Sequence, residues 1–244
     1  MNIHLKVPHL RDIKLSQDEV HIRLASLDIP ISRFRRLLDV DEQKRAERFH
    51  FEKDKNRFIV RRGILRILLS YYLGGEPESV LFSYGEKGKP VIADEFNRER
   101  LHFSLSHSRG MAIYAFYLDH EVGVDIEQIR DITEMAQLAE RFFSASEKTT
   151  WRALPESQKK EAFFNCWTRK EAFIKATGDG LSYPLDGFDV SLIPGMPAKL
   201  VAIRGDEKAA APWSIHDIKP ASGFAGAFAI RGQISNIDCR RWVN

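Results

Sequence analysis

Val122-Gly123-Val124-Asp125-Ile126-Glu127 alternates strictly between apolar and other residues. A strand turns successive side chains to opposite faces, so this segment predicts a strand that buries Val122, Val124 and Ile126. Asp125 and Glu127 then share the other face. About forty residues further on, the run Phe163-Phe164-Asn165-Cys166-Trp167-Thr168-Arg169-Lys170-Glu171-Ala172-Phe173-Ile174-Lys175 predicts a helix. Glu171 and Lys175 are four apart and lie on one face of it. Two carboxylates held close repel unless a cation sits between them. An oxygen-only donor set suits Mg²⁺, which takes one or two protein carboxylates together with substrate phosphates. A lysine one helical turn away is a natural point charge for such a phosphate. Each motif alone also has a plain reading: Asp-x-Glu as the solvated face of a strand, Glu-x-x-x-Lys as a surface helix pair.

The surrounding residues decide between these readings. Gly123-Val124-Asp125-Ile126-Glu127, followed by Trp167-Thr168-Arg169-Lys170-Glu171-Ala172-Phe173-Ile174-Lys175-Ala176-Thr177-Gly178-Asp179-Gly180-Leu181, resembles the two signature blocks of the 4'-phosphopantetheinyl transferase superfamily. The likeness is to the longer, pseudodimeric class that activates surfactin-type peptide synthetases. Gly88-Lys89-Pro90 and Phe103-Ser104-Leu105-Ser106-His107-Ser108 resemble two further blocks, in the family's order, and the likeness runs from about residue 41 to 190. It implies an α+β fold of two similar lobes in a pseudo-twofold arrangement, with the active site in the cleft between them. The expected division is 1–118 for the lobe contacting the coenzyme A nucleotide and 119–244 for the lobe carrying the carboxylates and signature helix. The implied activity moves the phosphopantetheine arm of coenzyme A to a serine of an apo acyl or peptidyl carrier protein, with Mg²⁺. Adenosine 3',5'-bisphosphate is the product left behind.

The same resemblance assigns site residues. Asp125, Glu127 and Glu171 become the metal ligands and, with Lys175, the catalytic set. Glu171 is the first candidate for the base, and ligand and base are competing roles for one carboxylate. Arg57, Lys89, Ser106, His107, Lys175 and Arg45 become coenzyme contacts. Arg57 is placed at the 3'-phosphate, with Arg61 and Arg62 one turn away as alternatives. Two positions depart from the family: Glu42 stands at a site that is usually basic, and Asp179 at another. Read on its own, Gly85 to Pro90 is a surface turn rather than a phosphate-cradling Walker loop, since proline follows the lysine. Phe142-Phe143-Ser144-Ala145-Ser146-Glu147 contains a helix capping box, which accounts for Ser144 and Glu147 without chemistry. Trp167, one turn before Glu171, reads as packing.

Composition sets the outer bounds. The chain has 244 residues, 43% hydrophobic and 29% charged, which is ordinary for a globular protein. No apolar run reaches the ~18 residues of a membrane span, and Met1 to Lys6 lacks a signal-peptide core, so the expected location is the cytoplasm. A monomer is expected. Two cysteines, Cys166 and Cys239, make no disulfide framework, and Cys166 reads as a buried small hydrophobe. Net charge is only +3, but Arg33 to Arg66 holds twelve Lys/Arg against six Asp/Glu. Such a stretch attracts an anion. The alternatives are another Mg²⁺-dependent phosphoryl-transfer or hydrolytic enzyme, and a basic nucleic-acid-binding protein. Against nucleic acid, the basic residues are interleaved with acids and no zinc-finger or RNA-binding signature occurs.

Hydrophobic spacing predicts strands at Ile3–Leu5, Val20–Leu24, Val80–Ser83, Pro90–Ile92, His102–Leu105, Met111–Tyr117 and Glu121–Glu127. Helices are predicted from Pro30 to Leu38 with Ser32 as cap, over Asp41–Phe51, and over Asn56–Leu73 with Gly74-Gly75 as stop. The second half repeats the plan: helices at Ile132–Arg141, Ser146–Ala153 and Lys159–Thr177, then strands at Phe188–Leu192, Ala198–Ile203, Trp213–Ile218 and Gly223–Ile230. Phe58–Tyr72 matches Phe164–Ala176, and Met111–Phe116 echoes Phe224–Ala229, as a duplicated unit requires. The stretch Gln128 to Glu161 has no full counterpart in the first half, and Arg141, Lys148 and Arg152 on it are candidates for docking an acidic carrier.

Overall fold

The computed structural model describes residues 14–85, 89–97, 100–178, 180 and 183–242. The expected strand at Ile3–Leu5, Gly88 and Asp179 lie outside those residues. The first half runs β1 (Glu19–Ser26), α1 (Ser32–Arg35), α2 (Val40–Ala46), α3 (Glu52–Leu73), β2 (Phe82–Tyr84), β3 (Pro90–Ile92), β4 (Leu101–Ser108) and β5 (Met111–Leu118). The second runs β6 (Val122–Gln128), α4 (Met135–Phe142), α5 (Ala145–Ala153), α6 (Glu156–Thr177), β7 (Phe188–Val190) and β8 (Leu200–Ile203). It closes with α7 (Glu207–Ala210), β9 (Trp213–Ile218), β10 (Phe224–Arg231) and β11 (Asn236–Arg241). This is an α+β fold.

Two sheets face each other. One has the order β11-β1-β5-β4 and the other β6-β10-β9. Alternation along the strands then makes three apolar layers. Phe103, Ala112, Tyr114 and Phe116 pack under α3 with Phe58, Ile59, Leu65, Leu68 and Leu69. Ile22, Leu24, Ile113 and Ala115 meet Val122, Val124, Ile126, Phe228 and Ile230 between the sheets. Ala225, Ala227 and Ala229 of β10 pack under α6 with Ala172, Phe173 and Ala176. The order of layers is therefore helix, sheet, sheet, helix. Each buried Phe, Ile or Leu here contributes roughly 1.5–3 kcal/mol.

Both long helices end as their sequences dictate. Gly74 (φ +70°) and Gly178 (φ +76°) adopt the left-handed conformation that closes a helix C-terminus. The first-half helix starts differ from expectation. Ser32 is the first helical residue rather than the cap, which falls on Ile31 without a side-chain bond. The helix expected over Asp41–Phe51 ends at Ala46. It starts from a capping box in which Asp39 accepts from the Glu42 amide and Glu42 from the Asp39 amide. Phe51 caps the following helix, which therefore begins at Glu52 rather than Asn56. The box at Ser144 and Glu147 forms as expected.

Two topological features were not foreseen. β5 and β6 flank the turn at Asp119 and His120 but do not pair; the chain leaves one sheet there and enters the other. β11 had no expected counterpart. It returns to the first sheet and pairs in parallel with β1, Glu19 opposite Asn236.

Candidate active site

The site grows from the contact of two edge strands. β4 ends the first sheet and β6 ends the second, and their serine and carboxylate side chains meet across the seam. On β6 the apolar set faces the inter-sheet core. Gly123, Asp125 and Glu127 face α6. Gly123 lets this happen: a Cβ there would overlap the Ala172 carbonyl oxygen and the Ala176 amide of the helix. Glycine within a strand commonly marks such a close backbone approach. The helix can then place Glu171 and Lys175 directly over the strand.

Asp125 is 4% exposed. Its Oδ1 accepts from the Lys175 ammonium at 2.6 Å and from the Ser106 hydroxyl at 2.7 Å. Its Oδ2 is buried and takes no hydrogen bond among the described residues. Glu127 accepts from Ser108 at 2.8 Å through Oε2. Burial lifts the Glu127 carboxyl above its ordinary value, the Ser108 bond opposes that, and the Asp125 charge adds to it. Burial also lifts Glu171, followed by repulsion from Asp125, with Lys175 pulling the other way and Glu127 adding to the rise. The three carboxylates therefore sense one another, as the alternation and the helix spacing required.

Among the described residues no three His, Cys, Asp or Glu side chains converge as a finished metal cage. The Lys175 ammonium occupies part of the space beside Asp125 instead. The donor set nevertheless fits a hard cation. It is all oxygen, mutually repulsive, and includes one buried carboxylate oxygen that no protein group satisfies.

On the α3 side of β4 a cavity of about 260 Å³ is lined by Phe49, Asp54, Arg57, Phe58, Arg61, His107 and Arg109. Its arginines are not equivalent. Arg57 makes a two-pronged pair with Asp28, Nε at 2.7 Å and Nη2 at 2.8 Å, so part of its charge is already answered. Arg62 is committed to buried Glu42 at 2.5 Å and is not available to a ligand. Arg61 has a buried Nε without a partner, and burial brings its pKa down to about 10. Arg45 lies over the Phe58 ring. His107 is exposed by surface area, yet the protein packed around it, then the cations of Arg61, Lys175 and Arg57, lower its pKa to about 4. With that pKa His107 is neutral at pH 7 and can offer a ligand a hydrogen bond.

Lys89 links the two halves of the chain. It reaches Glu121 at 2.7 Å and the Lys175 carbonyl, at the end of α6, at 3.0 Å. Burial pushes Glu121 up, but His102 and Lys89 outweigh it and hold it at about 2. Glu42, the acid at a usually basic position, is a structural ion: it receives Arg62 and Arg66. Glu147 likewise pairs with Lys170 at 2.8 Å beneath α6. Cys166 is fully buried with its thiol pushed well above the ordinary range, so it is inert. Trp167 stacks on Phe163 and meets Phe142 edge-on, as packing. The sequence reading gave no role to Asp28 or Glu121, and quoted Gly123 and Ser108 only within the matched blocks. Only Gly123 carried a usable signal, a glycine in the interior of a strand.

Known proteins resemble this chain in sequence across both halves. The family model described as "4'-phosphopantetheinyl transferase superfamily" matches residues 121–229, and one described as "4'-phosphopantetheinyl transferase, N-terminal" matches residues 30–117. The 4'-phosphopantetheinyl transferase HetI of Nostoc sp. (strain PCC 7120) is 39% identical over 232 residues, spanning 94% of each chain. Sfp of Bacillus subtilis (strain 168) is 33% identical over 171 residues, 68% of this chain and 74% of its own. A solved holo-[acyl-carrier-protein] synthase of Thermotoga maritima overlaps 46% of this chain and 63% of its own, with a TM-score of 0.37 and 22% identity, too slight a likeness to carry weight. With both halves matched in order, and HetI alike from end to end, the chain belongs to the 4'-phosphopantetheinyl transferase superfamily, in the class of Sfp and HetI, and is an enzyme that transfers phosphopantetheine.

Proposed function

We propose that the chain transfers the 4'-phosphopantetheine arm of coenzyme A to a serine of an apo acyl or peptidyl carrier protein, and requires Mg²⁺. The observation that supports this most is the meeting of Asp125, Glu127, Glu171 and Lys175 at the seam between the lobes, with the buried Asp125 Oδ2 left without a partner. The cavity on the α3 side, lined by Arg57, Arg61 and His107, suits the coenzyme's 3'-phosphate and nucleotide, with Arg45 and Lys89 as further contacts outside that lining. The division at residues 118 and 119 then separates nucleotide binding from the reacting groups.

In this reading the carrier serine oxygen attacks the β-phosphorus and forms a new P–O bond. The bond from that phosphorus to the bridging oxygen breaks, and adenosine 3',5'-bisphosphate leaves. Glu171 takes the serine proton, directly or through water. Burial and the neighbouring Asp125 raise its pKa, which makes it a better base than an ordinary glutamate. The Lys175 ammonium lies beside the diphosphate, where charge grows on the bridging and leaving oxygens. Asp125, Glu127 and Glu171 would hold Mg²⁺, which neutralises diphosphate charge when bound. Ser106 sets Asp125 and faces the same region. The reaction takes place in the cytoplasm with a monomeric enzyme; no helix among the described residues is long and apolar enough to cross a membrane. The test is direct. Purified chain, coenzyme A, Mg²⁺ and an apo-carrier, followed by intact mass, should give a carrier heavier by one phosphopantetheine, and EDTA should stop it. Coenzyme A turnover without a carrier would favour the hydrolytic alternative.

A further inference from the structure

β4 carries three serines on one face, Ser104, Ser106 and Ser108, and all three reach β6. β4 and β6 share no backbone ladder. The hydroxyls take its place. The Val124 amide donates to Ser104 at 3.1 Å. Ser106 donates to Asp125 Oδ1 at 2.7 Å, and Ser108 donates to Glu127 Oε2 at 2.8 Å. The Gln128 amide donates to the Ser108 oxygen at 3.1 Å. That last bond matters because a hydroxyl has one hydrogen and two lone pairs. With a lone pair taken by Gln128 N–H, the Ser108 hydrogen is directed at Glu127.

Asp125 and Glu127 therefore each have one oxygen fixed by a β4 serine. The other oxygen of each takes no hydrogen bond among the described residues. Two like-charged groups left to themselves would swing apart. We propose that Ser108 is a positioning residue for the cation site: from the opposite lobe it pins Glu127 Oε2 and so turns Oε1 toward the cation shared with Asp125. Groups that hydrogen-bond ligating side chains orient them, and their loss typically weakens metal binding by about 10–100-fold. The seam thereby makes the second lobe's cation affinity depend on docking of the first. The inference rests on the proposed Mg²⁺ role of Asp125 and Glu127.

The full chain with coenzyme A serves for the experiment, and Mn²⁺ binding is read from the free-ion signal in electron paramagnetic resonance. Ser108→Ala should raise the apparent Mn²⁺ dissociation constant about 10-fold, and the Mg²⁺ concentration for half-maximal rate should rise with it. Ser108→Thr, which keeps the hydroxyl, should restore affinity to within about 3-fold and supplies a folded variant should the alanine form be unstable. Ser104→Ala removes a seam bond that touches no carboxylate and should leave Mn²⁺ affinity unchanged. The inference is overturned by unchanged affinity in Ser108→Ala, by no rescue in Ser108→Thr, or by equal loss in Ser104→Ala. Asp125→Ala separates the two levels: unchanged Mn²⁺ binding there removes the metal reading itself, whereas lost binding there with an indifferent Ser108 removes only the positioning role.

Discussion

α3 and α6 are the same device built twice and used differently. Both span 22 residues, cover one sheet and end in a left-handed glycine. Both also bury cations. On α3, Arg62 and Arg66 close onto Glu42, Arg66 reaches Asp39 as well, and Arg57 closes onto Asp28. On α6, Lys170 closes onto Glu147 and Arg169 onto Asp217. The difference lies on the faces turned to the seam. α3 offers the buried, unpaired Nε of Arg61 beside a cavity. α6 offers a carboxylate and an ammonium over a strand that answers with two more carboxylates. One helix suits holding an anion; the other suits acting on it.

The sharpest way to break this contrast is to strike the open and the closed charges separately. Asp125→Ala should reduce transfer roughly 10³-fold, because cation and lysine both lose their anchor. Its fold should survive, since removing one of several crowded carboxylates relieves repulsion. Full activity of that variant in chelator would end the proposed role. Lys175→Ala should lower kcat as well as coenzyme affinity, because charge at the diphosphate grows in the transition state. Glu42→Ala should do the opposite. It strands two buried guanidinium groups and should cost about 3–5 kcal/mol in urea unfolding, with kcat of the folded fraction nearly unchanged. A large kcat loss without unfolding would make Glu42 part of the coenzyme site after all.

These contrasts also show what the sequence could convey. Alternation over Val122–Glu127 and the spacing of Glu171 and Lys175 are local periodicities, so the shared faces were legible. Asp28 with Arg57, or Lys89 with Glu121, are pairs 29 and 32 residues apart, and nothing in either stretch alone selects its partner. β11 was hidden for a related reason. Asn236–Arg241 is polar and half-exposed at a sheet edge, so burial leaves little alternation to read. Glu42 looked like a departure in the ligand site. Its true partners, Arg62 and Arg66, lie 20 and 24 residues on and become neighbours only when α2 packs on α3.

A finer division concerns the arginines of α3. Arg57 was placed at the 3'-phosphate, yet Asp28 already engages two of its N–H groups. Arg61→Ala should therefore raise KM for coenzyme A about 10-fold or more, and by much less for 3'-dephospho-coenzyme A. Arg57→Ala should show the same discrimination more weakly. If only Arg57→Ala discriminates, Asp28 steadies that guanidinium for the phosphate rather than competing for it.

The pH profile sets the two faces of β4 apart by a smaller margin. Glu127 and Glu171 must be ionised to act, and both titrate above the ordinary glutamate value. Activity should therefore be present above those raised values and fall as pH drops through them, placing the acid limb of kcat/KM above about 4.5. His107 has the opposite sign: its pKa of about 4 keeps it neutral across that range. His107→Gln should leave the limb in place and change KM only. A limb that disappears in this variant would show that the histidine proton, not the carboxylates, controls the rate.

The mildest expected effect lies outside both helices' inner faces. α4 and α5 lie between the two signature segments, in a stretch without a full counterpart in the first half, and α5 packs on α6. Of the three basic residues there, Arg152 is already held by Glu140 at 2.5 Å, and Arg141 rests on the Phe142 ring. Lys148 makes no ion pair among the described residues. Exposed charges of this kind steer encounter more than they bind. If the carrier is acidic and docks here, reversing Arg141 and Lys148 together should raise KM for carrier several-fold at low salt, leaving KM for coenzyme A unchanged. Reversing Arg152 should add little, because Glu140 already screens it. Added salt should erase most of the difference between parent and variant, since exposed charges fade beyond a Debye length of ~10 Å at 0.1 M. A carrier KM indifferent to the double reversal would shift the dock to the other rim of the cleft, at the Ser108 to Met111 turn, where Arg109 is the exposed cation that remains.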